Sequence, residues 1–155
     1  SLTAHISKAA DLPRGDTLAT IALSFECGAT GSISLCSAAP HSFGHRLEIH
    51  GSEGSLLLVN SGPDPVVGFR LIGGSRGMEQ PREIAVEKPE QSDSTEDHRV
   101  PPVSRLVRRF IDSISGGRPV RPSFADGVRA QTLIDAARRS SMTGAWVRLL
   151  HEERS

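Results

Sequence analysis

His41, His45, Arg46 and His50 form the densest group of side chains in this sequence that could move a proton or hold a metal. A metal site needs its ligands on one side of an element. His45 and His50 are an odd number of residues apart, so a single strand turns them to opposite faces. Neither Cys-x-x-Cys nor His-x-x-x-His spacing occurs anywhere to support zinc. Asp97 and His98 are adjacent rather than one helical turn apart, and adjacent helical positions do not share a face. Cys27 has no apparent histidine partner, and no Gly-x-Ser-x-Gly elbow is present. The glycine-rich runs at 51–54 and 73–77 sit between strand-like segments, without the following helix whose N-terminus would hold a phosphate. Arg105, Arg108, Arg109, Arg118 and Arg121 could meet phosphates, but no aromatic residues interleave with them and tyrosine is absent, which argues against nucleic-acid binding. The expectation is therefore no catalytic residue, no metal ligand and no bound cofactor on this chain.

Composition sets the outer limits. A chain of 155 residues suits one domain able to bury roughly 70% of its unfolded surface. The 18 Lys and Arg balance the 18 Asp and Glu, so no long-range field recruits nucleic acid or an acidic membrane. No apolar run approaches the ~20 residues of a membrane span, and no signal peptide is recognisable. Ser1-Leu2, with no initiator Met, reads as a leftover of cloning. Residues 3–150 read as a single domain and 151–155 as a tail. Cys27 and Cys36 fall in a hairpin turn and well up the returning strand, too far apart for a disulfide at ~3.4 Å per residue. Free thiols predict a cytoplasmic protein.

The elements that would position these groups are legible in order. Ala19, Ile21, Leu23 and Phe25 alternate with Thr20, Ala22 and Ser24; Ile33 and Leu35 alternate with Ser32, Ser34 and Cys36. Opposing the two apolar sets requires an odd loop, Glu26-Cys27-Gly28 with Gly28 left-handed. The sheet then has one greasy face and one flat face of small polar residues. A second hairpin turns at Gly51–Gly54 and opposes Leu47 with Leu58 and Ile49 with Leu56, which pins its register. Leu57 and Val59 make its second strand apolar on both faces, hence central. Strands are also predicted over 66–72 and 82–87, and a polar mobile loop over 88–100. Pro101-Pro102 opens a helix carrying Val103, Leu106, Val107, Phe110, Ile111 and Ile114 on one stripe, ended by Gly116-Gly117. Ser123 and Asp126 form a capping box for a second helix. Phe124, Val128, Ala130, Ile134 and Ala137 mark its apolar face, Gly127 its close approach to a sheet, and Gly144 its stop, with a closing strand after it. The class is α+β, an open, predominantly antiparallel sheet with two C-terminal helices packed on one face.

The run FADGVRAQTLIDAARRSS followed by GAWVRL resembles the C-terminal end of the glucose–fructose oxidoreductase and inositol 2-dehydrogenase family. DTLATIALSFECGATGSI and LEIHGSEGSLLL resemble that family's sheet strands, hairpin and Gly-x-x-Gly turn, so the likeness runs from about Asp16 to Leu149. It implies an enzyme that passes a hydride between NAD or NADP and a sugar, cyclitol or related polyol. It also implies that the dinucleotide-binding half, with the catalytic Lys and the Asp/His pair, lies N-terminal to this chain. Glu87-Lys88-Pro89 carries the letters of the family's Glu-Lys-Pro motif but follows the sheet strands instead of preceding them, so it reads as coincidence. The family's flat sheet face forms a dimer, which here implies Thr20, Ala22, Ser24, Ser32, Ser34 and Cys36, and its strand-end loops face the substrate, which points to His41. On the residues alone, a stand-alone ligand-binding or oligomerisation module stays open, as does a hydrolase using a histidine of the 41–50 segment.

Overall fold

The computed structural model describes residues 1–8, 15–39, 44–86, 97–117 and 119–149. Residues 41–43 and 87–96, and with them His41 and Glu87-Lys88-Pro89, lie outside the described residues, as do Arg118 and the 150–155 tail. The chain divides into two compact units, Ser1–Pro40 with Pro119–Ser155, and His41–Arg118. Among the described residues all strands are antiparallel and fall into two sheets of three and four, with two helices, so the class is α+β.

The first unit holds β1 (Leu2–Ser7), β2 (Leu18–Ser24), β3 (Thr30–Cys36) and, from the C-terminal part, α2 (Phe124–Thr143). The strands lie in the order β1-β2-β3. Ile21 pairs with Ile33 and Ala19 with Leu35, and Phe25 N–H donates to the Ala29 carbonyl across a three-residue loop in which Gly28 has φ +86°. Odd loop length and a left-handed glycine bring the apolar sets face to face, as the alternation requires. Leu2 pairs with Leu23 and Ala4 with Ile21, extending that apolar face onto β1.

α2 begins with a complete capping box. Ser123 Oγ accepts from Asp126 N–H while the Asp126 carboxylate accepts from Ser123 N–H at 2.8 Å, and the helix stops at left-handed Gly144. Of the expected stripe only Ala137 is buried. Phe124 is 92% exposed and Val128 65%, whereas Ala136, Ala137 and Ser140 are buried. Small side chains win because the helix runs close against β1, where large ones would hold it away. Gly127 plays no part in this approach: a Cβ there would meet nothing within 4 Å. The closing strand shrinks to one bridge, Leu2 with Val147. Leu2, set aside above as a cloning leftover, is 1% exposed and forms the core of this unit with Ala136, Ala137 and Val147.

The second unit holds β4 (His45–His50), β5 (Gly54–Asn60), β6 (Arg70–Ser75), β7 (Arg82–Ile84) and α1 (Val100–Gly116). The sheet order is β4-β5-β6-β7, with β5 inside, and Leu47 opposes Leu58 and Ile49 opposes Leu56. The strand expected over 66–72 starts later, at Arg70. Buried Asn60 explains the shift: its side chain donates to the carbonyls of Asp64 and Val67 and accepts from Gly62 N–H, tying 61–67 into a turn. Gly73 and Gly74, expected in a loop, belong to β6 instead. Gly73 sits where a Cβ would lie 2.6 Å from Ile84 Cδ1, so a larger residue there would displace the end of the Ile84 side chain. α1 has proline in its first turn and ends at left-handed Gly117, but buries none of its side chains.

Candidate functional site

The three-stranded sheet brings the six predicted face residues together. In an antiparallel ladder directly opposed residues share a face. Thr20 opposes Ser34, Ala22 opposes Ser32, Ser24 opposes Thr30, and Cys36 opposes Leu18. Five of the six are exposed and Ala22 is half-buried. The same rows continue onto β1, where His5 opposes Thr20, Thr3 opposes Ala22 and Ser7 opposes Leu18. Thr3, His5 and Ser7 were not picked from the sequence, although the alternation Leu2-Thr3-Ala4-His5-Ile6-Ser7 carried the same signal. The result is a surface of hydroxyls and small apolar groups with Leu18, the Cys36 thiol and one imidazole, and no carboxylate, ammonium or guanidinium side chain. It has no acid–base pair and no cluster of soft ligands. It can hydrogen-bond and pack flat.

The titratable groups of the second unit are dispersed. His45 and His50 end β4 on opposite faces; His45 lies 6.0 Å from the Phe69 ring, and His50 Nε2 is 3.5 Å from Glu48. Glu48 also accepts from Arg46 at 2.6 Å, and that hydrogen bond holds its carboxyl below the usual range. No group of three or more metal-capable side chains occurs among the described residues. Asp97 pairs with Arg99 instead of His98, and the guanidinium lowers its pKa to about 2.

One pairing escaped the sequence entirely. His98 Nδ1 lies 2.6 Å from Asp64 Oδ2, while Asp64 Oδ1 accepts from Val66 and Val67 N–H. The imidazole, then the two amides, keep the Asp64 carboxyl below its ordinary range. Thirty-four residues separate the two, and no spacing rule reaches that far. The pair resembles the orienting half of a base, but among the described residues no hydroxyl or thiol is hydrogen-bonded to the imidazole. It joins the 61–67 turn to the start of α1. Elsewhere in this unit an open recess of about 540 Å³ is lined by Ile49, Leu56, Gly73, Met78, Arg82 and Ile84. Its walls are apolar and hold no acid–base pair.

The two glycine-rich turns join strand to strand. Gly51 and Gly54 close a hairpin through Gly51 N–H to the Gly54 carbonyl, and Gly77 turns β6 toward β7. Neither turn feeds a helix, so no amide cluster on a helix dipole is offered to a pyrophosphate. No helix among the described residues is long and apolar enough to cross a membrane.

Fold and surface thus define an α+β domain built around antiparallel sheets. The family model for the oxidoreductase family C-terminal alpha/beta domain of the glucose–fructose oxidoreductase and inositol dehydrogenase type matches residues 2–149, and the chain belongs to that family. It is 34% identical over 119 residues to an uncharacterized oxidoreductase of Synechocystis, covering 74% of this chain and 31% of that protein. An oxidoreductase from Agrobacterium radiobacter, solved with NAD+, L-tartaric acid and magnesium, has the same fold at TM-score 0.73 and 23% identity, over 93% of this chain and 41% of that one. An aldose-aldose oxidoreductase from Caulobacter crescentus, complexed with glycerol, matches at TM-score 0.72 and 18% identity, over 96% of this chain and 40% of that one. The chain therefore spans well under half the length of each of these proteins.

Proposed function

We propose that this chain is the C-terminal part of an NAD- or NADP-dependent oxidoreductase acting on a sugar, a cyclitol or a related polyol. In this reading a dinucleotide-binding domain, N-terminal in the same polypeptide, holds the cofactor and the catalytic groups. The present chain contributes one wall of the substrate cleft and the surface on which two copies meet. Family membership supports the oxidoreductase assignment. Two proteins of the same fold carry names that involve hydroxylated carbon compounds, L-tartaric acid in one, an aldose and glycerol in the other, which supports the substrate class. His41, outside the described residues, is the side chain we propose for the substrate wall. Free Cys27 and Cys36 accord with a cytoplasmic location.

The observation that carries the association is the uncharged face of Thr20, Ala22, Ser24, Ser32, Ser34 and Cys36, set in register on two paired strands. Small side chains let two such faces approach closely, and the absence of charge lowers the desolvation cost that normally keeps a sheet face in water. Sedimentation equilibrium of the wild type and of a Thr20→Arg/Ser32→Arg variant tests it. We expect the paired arginines to lower the weight-average mass. An unchanged mass in a folded variant overturns the face as an interface, and so does a wild type that is monomeric at every concentration. Titration calorimetry with NADH should show no saturable binding to this chain; saturable binding would overturn the division of labour.

A further inference from the structure

We draw no further inference here: the strongest candidate, the Asp64–His98 side-chain cluster that joins the 61–67 turn to the start of α1, is a partly exposed pair already described above, and nothing in the structure shows what covers it or what the imidazole would act on.

Discussion

The two edges of the three-stranded sheet pose the same chemical problem and meet it differently. On β1, Leu2 N–H donates to the Val147 carbonyl at 2.9 Å and Val147 N–H returns to the Leu2 carbonyl. Ala4 N–H donates to Ser140 Oγ at 2.9 Å and Ile6 N–H to Ser141 Oγ at 2.8 Å. A helix and a single bridged residue thus stand in for a neighbouring strand. On β3 nothing among the described residues does so. The difference shows that edge protection here is made by tertiary contact, with hydroxyls from more than 130 residues away in the chain, and not by the strand's own composition. Both strands alternate apolar with small polar residues; only what lies beside them differs.

The closed edge can be broken at its core. Leu2→Ala removes a fully buried side chain from the cluster with Ala136, Ala137 and Val147, and by the usual cost of large-to-small core changes should destabilise the chain by about 2–5 kcal/mol in chemical denaturation. Ser140→Ala removes less volume but strips the acceptor from Ala4 N–H and the donor from the Ala145 carbonyl at 2.7 Å, at a residue with no exposure. A loss of about 1–3 kcal/mol is expected, with faster amide exchange at Ala4. If exchange at Ala4 is unchanged, the hydroxyl does not close the edge.

Away from that seam α2 should respond in the opposite sense. Gly127 is exposed and unencumbered, so Gly127→Ala should stabilise the helix by up to ~1 kcal/mol in thermal unfolding. A loss instead would mean that something approaches the helix there after all. The smallest effect is electrostatic. Hydrogen bonds from Ser123, first the backbone and then the side chain, lower the Asp126 pKa below its ordinary value. A folded pKa below the unfolded one means the contribution is complete above about pH 4 and is lost as the pH falls through the folded value. Wild type and Asp126→Asn should therefore differ in thermal midpoint at neutral pH and converge in acid.

Local rules made much of the fold legible. Alternation and loop parity set the Ile21–Ile33 and Leu47–Leu58 registers before any coordinates, because a one-residue slip would turn every apolar side chain to water. Capping chemistry marked Ser123, Asp126 and Gly144, since those groups answer to amides within a few residues. The flat face of Thr20, Ser32 and Ser34 was legible for the same reason as the registers.

What misled was size taken for burial. Phe124 and Val128 drew attention as the large apolar members of α2, yet close approach to β1 selects Ala136, Ala137 and Ser140. The start of β6 was misplaced because Val66 and Val67 look like strand residues, and only the buried Asn60 amide shows that they turn.

The sequence by itself determined the alternations, the hairpin registers, the helix limits and the absence of a glycine turn leading into a helix, all consequences of interactions within a few residues. Tertiary structure alone decided which helix face is buried, that Leu2 is core, that Asp64 meets His98, and that hydroxyls of α2 and the backbone of Val147 close the β1 edge. Those outcomes depend on which distant groups arrive at a given backbone amide, and no local pattern encodes that arrival.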